Sequence, residues 1–559
     1  MPGGRRSAED RLLQSIVLWR LATGETRDLS SDEALHRAGA VTRRQVLRAG
    51  GLLGAGALAS ACTGGSETAS SPSPTPSGRP GEGPTVAVVG AGLAGLTAAY
   101  RLQQAGVDVQ VYEAQDRVGG RCWSSRDWAG GQIGEHGGEF IDTRHVHLLG
   151  LASELDLRVD DLWDAWEPGS TSLTWVDGAE VDRKALLEPI NEASRQLAAI
   201  ARRNGSFFAG QASTRAIAFD EMTQAEWVTE ATGQSIDSPM GRLFSSSQAG
   251  WYGLDADRLS ATNLIDFYAV RWDGADERYT VHDGNDEVPQ RLAAVLPSGS
   301  VTLEAALTSV RRQEDGRYEL GFDSSSTPVV ADYVVFALPF TAFRDVDLSD
   351  AGFSQTKNAA IASLGMGTNS KVLLQFEGSV GDFANWSGYS QRADSPQFGS
   401  WESGTTDPGS SDYSLLTIFA GGRAGASYPT DQAHGVAPPE VAEHTLSALD
   451  EMLPGIASTH VGDVWLDFWT RDRWSKGSYA AFLPGNTTRF LGLIGQSEGR
   501  AHFAGEHTSV YSQGFLNGGA ESGSRVAAEI LDRLDKSYPP GLTTAFAEQA
   551  KYEPVYPWS

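Results

Sequence analysis

The sequence predicts an α/β fold in which a Rossmann-like dinucleotide-binding domain is interleaved with an α+β domain. Three observations predict it. A buried strand turns through closely spaced glycines into an apolar helix near Val86–Leu102, the pattern of a nucleotide-binding βα unit. Strand-rich and helix-rich stretches then alternate along the chain instead of falling in two blocks. Finally, 559 residues exceed what one hydrophobic core organises, so two discontinuous domains are expected.

The elements follow in order. Val86–Val89 is apolar and small or branched, and Gly90-Ala-Gly92-Leu-Ala-Gly95 turns it into a helix running to Leu102. In such a turn the first glycine supplies unusual backbone angles, the second admits a pyrophosphate, and the third lets helix and strand pack closely. The helix N-terminus offers unpaired N–H groups and partial positive charge to phosphates. A second strand, Val107–Tyr112, ends at Glu113, a carboxylate placed to accept from the two hydroxyls of an unphosphorylated ribose. From Asp161 to Asp273 helical spacing dominates, for example over Ala185–Arg203. After Tyr279 short strands return: Ser300–Phe322 alternates around a turn at Asp315-Gly316, and Ala331–Pro339 reads as a buried strand. Further strands are expected at Lys371–Phe376, Tyr413–Ala420 and Ala501–His507, with helices at Pro438–Met452 and Gly518–Leu534. The expected dinucleotide-binding domain therefore comprises 84–160, 274–339 and 473–537, the second domain 161–273 and 340–472, and 538–559 a C-terminal tail.

The balance of 44 basic against 71 acidic residues, −27 overall, opposes nucleic acid and anionic membrane surfaces. Cys62 and Cys122 are the only cysteines, so no disulfide framework is expected. Residues 1–61 read as a leader: Arg43-Arg44 precede the apolar run Ala49–Ala61, which is too short to span a bilayer and resembles a twin-arginine export signal. Cys62, in "LASAC", is a candidate for lipidation, the one expected route to a membrane, and 62–83 is a Ser/Pro/Gly tether. The expected location is extracytoplasmic, secreted or lipid-anchored. No metal-ligand spacing and no nucleophile elbow occurs in the sequence.

Behind Glu113 and Ala114 stands Arg117-Val-Gly119-Gly120-Arg121, where paired glycines expose N–H groups and arginine offsets pyrophosphate charge. Together with "GEHGGEF" (Gly134–Phe140), "NSKVLLQF" (Asn369–Phe376), "RWSKGSYAAFLPG" and "HFAGEHTSVYSQGFLNGGAESG", this resembles the flavin-containing amine oxidase superfamily over nearly all of Thr85–Leu534. The resemblance implies an FAD-binding Rossmann-like domain with the double-glycine motif and an α+β substrate domain. It implies FAD contacts from Gly90, Gly92, Gly95, Glu113, Ala114, Arg117, Gly119, Gly120, Arg121, Gly138, Glu139, Val310, Trp474, Gly505, Glu506, Phe515 and Leu516. It further implies that Lys371 holds a water against flavin N5, and that Tyr479 and Phe515 flank the substrate nitrogen. Ser478 stands where some monoamine oxidases carry the flavin-linking cysteine, so the FAD is expected to be non-covalent. The implied reaction is oxidative deamination of a mono- or polyamine by hydride transfer, with oxygen as acceptor and hydrogen peroxide as product. The alternative is an L-amino acid oxidase. In one subgroup of these the carboxylate-binding arginine stands where this chain has Phe140, which leaves Arg144 or a residue of the helical block to bind the carboxylate. The oligomeric state stays open, a homodimer included.

Overall fold

Five parallel strands carry the glycine-rich turn. The computed structural model describes residues 83–162, 171–394, 399–403 and 412–558; the arginine-pair signal, Cys62 and the tether lie outside the described residues. In this sheet Thr85–Val89 is central, between Asp108–Tyr112 and Tyr333–Phe336, with Val301–Thr302 and Ala501–Phe503 at the edges. Alternation explains the run of small and branched residues: Val86 and Val88 enter one buried cluster and Ala87 and Val89 another, so both faces are covered.

The first cluster is closed by the helix Leu93–Gln104, packed against Leu516–Arg533. These helices approach through small residues: a Cβ at Gly523 would stand 2.3 Å from the Ala94 carbonyl oxygen. The second cluster lies under a four-stranded sheet built from Leu307–Arg312, Tyr318–Phe322, Ser325–Ala331 and Asp347–Asp350.

The eight-stranded sheet has Ser370–Glu377 near its middle, antiparallel to both Tyr413–Ala420 and His460–Asp467. Val372, Leu374 and Phe376 pack into a cluster that also takes Val441 and Leu449 of the helix Pro439–Met452. Lys371, Leu373 and Gln375 therefore face the other way, toward residues 129–139: Gln375 bonds Ala129, and Leu373 lies against Gly134. The helices between Arg183 and Tyr268 form a further cluster around Leu187, Leu197, Leu243 and Leu264.

Four sequence expectations change. The helical pattern Ala185–Arg203 is two helices, Arg183–Ser194 and Leu197–Asn204; the periodicity survives the break because Ile190, Leu197 and Ala201 bury in one cluster. The alternating run Ser300–Phe322 is shared between two sheets, since Val301–Thr302 pairs with Asp108–Tyr112 while Leu307–Arg312 joins the four-stranded sheet. Beyond Pro339 the chain does not leave at once: Phe340, Phe343, Phe353 and Ile361 still pack in the cluster beneath that sheet. Residues 538–559 are not a loose tail over their described length. Leu542 of the helix Pro540–Gln549 is fully buried against the first cluster, and Tyr556 and Trp558 pack on the helical one.

Candidate functional site

Gly90 is the turn's fixed point. Its φ of +103° is a conformation that side chains strain to adopt, and a Cβ there would stand 2.7 Å from the Ala337 carbonyl oxygen. Gly95 serves the packing instead. A Cβ there would stand 1.9 Å from the Gly90 carbonyl oxygen, so only glycine lets the helix start this close to the strand. Glu113 reaches back across the turn, accepting from the backbone N–H of Ala91 (2.6 Å) and of Gln115 (2.9 Å). Burial raises the pKa of its carboxyl.

One cavity of about 740 Å³ runs from this turn into the helical block. It is lined at the turn by Gly90, Gly92, Glu113, Ala114, Gly119, Gly120 and Arg121, and further along by Gly138, Glu139, Lys371, Trp474, Ser478, Tyr479, Gly505, Glu506, Phe515 and Leu516. Three expected contacts do not line it. Gly95 lies behind the turn; Arg117 bonds the Gly120 carbonyl at 3.0 Å and stacks over Trp123, bracing the second turn from outside. Val310 is buried among the residues under the four-stranded sheet, and Ala305–Thr308 and Asp323 line the cavity instead. The small pair Ala305-Ala306 ahead of the strand is the signal that sequence reading passed over.

The expected chemistry-bearing side chains are held by several elements. Lys371 donates to the Glu135 carbonyl and to Glu139, each at 2.8 Å, and both members of the Lys371–Glu139 ion pair are nearly buried. Glu139 also accepts from Trp401 Nε1 and Ser403 Oγ, each at 2.8 Å, so the carboxylate is compensated on every side. Arg121 donates to the Ser478 carbonyl (2.7 Å) and to Glu506 (2.8 Å), and Glu506 accepts further from Ala480 and Gly514 N–H groups.

Tyr479 is oriented by its hydroxyl, which donates to the Gly250 carbonyl at 2.6 Å; burial keeps the phenol protonated by raising its pKa strongly. Gly514 brings the main chain against this ring, since a Cβ there would lie 3.7 Å from it. Phe515 follows at the start of Leu516–Arg533, its ring 5.0 Å from that of His145 and 5.3 Å from the Arg144 guanidinium. Ser478 Oγ donates to Asn369 Oδ1 at 2.7 Å. Cys122 also lines the cavity, its Sγ donating to the Asn285 carbonyl, and burial pushes its thiol well up.

Sequence reading left the far walls unassigned. They are Trp251, Tyr252, Asp266, Phe267 and Trp272 from the helical block, Trp401 and Phe419 from the large sheet, and Tyr511, Tyr556 and Trp558. No single motif marks them, because each comes from a different segment.

This cavity suits a long, doubly anionic dinucleotide. Two helix N-termini, at Gly92 and Phe515, meet it without a side-chain cap. Above Gly92 there is room: a Cβ there would find only the Gly119 carbonyl oxygen, at 3.8 Å. A sequence model described as flavin containing amine oxidoreductase matches residues 93–531. The chain belongs to the flavin-containing amine oxidoreductase family. It is therefore an FAD-dependent enzyme, and its cavity residues fit that cofactor. Among relatives of the family, amine oxidase [flavin-containing] A of Sus scrofa is 24% identical over 480 residues, covering 81% of this chain and 85% of its own. An L-amino-acid oxidase of Siganus canaliculatus is also 24% identical, covering 80% and 85%. Cyclohexylamine oxidase from Brevibacterium oxydans IH-35A shares the mixed α/β fold with a TM-score of 0.69, at 24% identity, over 81% of this chain and all of its own.

Proposed function

We propose that this family member oxidises a primary or secondary amine that carries an apolar tail. The observation carrying this reading is the charge balance around the aromatic pair: Asp142, bonded to Arg144 beside Phe515, and Glu277, whose charge acts on Tyr479, stand there against that single guanidinium, while the Lys371 ammonium is offset by Glu139. That guanidinium is engaged already. It donates to Asp142 at 2.9 Å and lies between the rings of Trp272 and Phe515. An arriving ammonium thus meets a net acidic, aromatic-walled chamber.

In this reading Tyr479 and Phe515 form the slot for the amine, whose apolar walls favour the neutral, reactive form. When bound, FAD would supply the two-electron acceptor chemistry for the α-hydrogen, and oxygen is the final acceptor we infer. Glu113 would hold the ribose hydroxyls, while Gly92, the second glycine turn and the two helix N-termini would receive the pyrophosphate and the pyrimidine end. Lys371, fixed by Glu139, holds a water near the reacting face. Positioning and water exclusion supply most of the rate. Serine at 478 cannot form a thioether, and the Cys122 thiol, the other candidate for one, donates to the Asn285 carbonyl and is kept protonated by burial, so in this reading FAD is held without a covalent bond, and denaturation releases all the yellow colour. We further propose that the Arg43-Arg44 leader carries the folded enzyme out of the cytoplasm.

A second reading, oxidation of an L-amino acid, draws on Arg144 as a carboxylate partner, and one relative carries that name. Anaerobic mixing of the yellow holoenzyme with matched amines and L-amino acids separates the two. Bleaching by amines, with their amino acid counterparts inert, is expected. Bleaching by amino acids alone, abolished in Arg144→Ala, overturns the amine reading.

A further inference from the structure

Residues 553–558 bring Tyr556 and Trp558 to the wall of the cavity, where both pack on the helical cluster. The helix Pro540–Gln549 first anchors this stretch: Leu542 is fully buried, and Gln549 Oε1 lies 2.7 Å from His147 Nε2. The chain then crosses to Arg271, where Val555 and Arg271 exchange two backbone hydrogen bonds, each 3.1 Å. Pro554 and Pro557 bracket the crossing, and their fixed φ favours an extended strap over a helix.

The strap delivers two rings. Tyr556 and Trp558 stack with centroids 4.9 Å apart and planes at 24°. Trp558 meets Phe207 edge-on at 5.3 Å, and Tyr556 meets Phe208 at 5.7 Å. Tyr556, Trp558 and Phe207 all line the cavity, and Tyr556 feels the charge of Asp266, another lining residue. Neither ring belongs to the turns and helix ends that suit FAD.

We propose that Tyr556 and Trp558 are specificity-determining residues: they form the end wall of the substrate chamber and set the longest apolar tail it accepts. This rests on the amine reading given above. With the nitrogen between Tyr479 and Phe515, a growing tail is buried progressively along the aromatic walls, worth about fourfold in binding per methylene. At the stacked pair the gain stops, because packed rings do not yield to an extra methylene without strain.

The test is a ladder of straight-chain alkylamines, butyl to dodecyl, on the holoenzymes of the wild type, Trp558→Ala, Tyr556→Ala and Trp558→Phe. Dissociation constants from flavin absorbance are read beside kcat/KM, so amines that bind without being oxidised still report. In the wild type affinity is expected to rise with length and then break. In the alanine variants the break moves outward by at least two carbons, and the decylamine-to-butylamine ratio of kcat/KM rises about tenfold; Trp558→Phe restores most of the wild-type break. A break at unchanged length in both alanine variants overturns the proposal. So does a uniform loss across the ladder with a lowered Tm, the mark of a merely structural strap. Reduction of the wild type by L-amino acids and by no amine defeats the amine reading instead, and the same shift along straight-chain L-amino acids then decides the wall separately.

Discussion

Lys371 and Glu113 show how much depends on single side chains. Lys371 is one partner of a nearly buried ion pair, and breaking such a pair costs about 3 kcal/mol by leaving the other charge uncompensated. Lys371→Met is therefore expected to lower stability by that amount and to slow flavin oxidation or reduction by about 100-fold. The double variant Lys371→Met/Glu139→Gln separates the two effects: melting should recover while stopped-flow rates stay low. Equal recovery of both would leave the lysine a structural role only. At Glu113 the expected effect falls on cofactor retention. Glu113→Ala strips the acceptor from two backbone N–H groups, and loss of about 2–3 kcal/mol of interaction corresponds to roughly hundredfold weaker FAD binding. The flavin-to-protein ratio after gel filtration measures it.

The elements are held at working distance by residues too small to keep them apart. Leu93–Gln104 and Leu516–Arg533 each bring an N-terminus to the same cavity, and their spacing depends on Gly519 and Gly523. Gly523→Val must displace the Ala94 backbone, at about 1–3 kcal/mol. Because the shift moves a helix end and not only a packing contact, flavin content should fall together with Tm. Retention of full flavin content at a lowered Tm would show that the two helix ends do not depend on this contact. The central strand Ser370–Glu377 works by alternation: its apolar face anchors it in the large sheet and the opposite face carries Lys371 to the cavity.

Acid should remove the share of the molecule's stability that rests on three buried neutral histidines. His145, His147 and His507 are buried, and burial lowers each to about 4. His145 Nδ1 accepts from the Asp142 N–H, which requires the neutral ring, and neither ring nitrogen of His507 has a hydrogen-bond partner. An unfolded chain takes up these protons near pH 6.5, the folded protein only near 4. Their contribution is thus present above about 6.5 and is lost as pH falls toward 4. Holding one histidine neutral over that window amounts to about 3 kcal/mol. Between pH 6.5 and 4 the Tm of the wild type should fall relative to that of His507→Phe, which lacks one of these groups; His145→Gln provides the second reading. Glu135 and Asp276, whose carboxyls burial raises to about 8 and about 7, act in the opposite sense over this window, so equal pH slopes in the wild type and both variants, and not a flat wild-type Tm, would contradict the burial argument.

By itself the sequence determined the local chemistry. Gly90 and Gly95 were legible because their constraints act across a few residues: a positive φ and a close approach of helix to strand; the return of the Glu113 carboxylate onto the Ala91 N–H was decided by the fold. The strand bearing Lys371 and the helix after Phe515 were legible for the same reason. Tertiary structure alone decided what shares a cavity. Ala305–Thr308 took the place expected for Val310 because chain direction, not residue type, determines which end of a strand meets the cavity. Arg144 came to lie between Trp272 and Phe515, and residues 553–558 became a wall instead of a tail. These contacts join positions tens to hundreds of residues apart, and single-chain periodicity carries no record of such pairings.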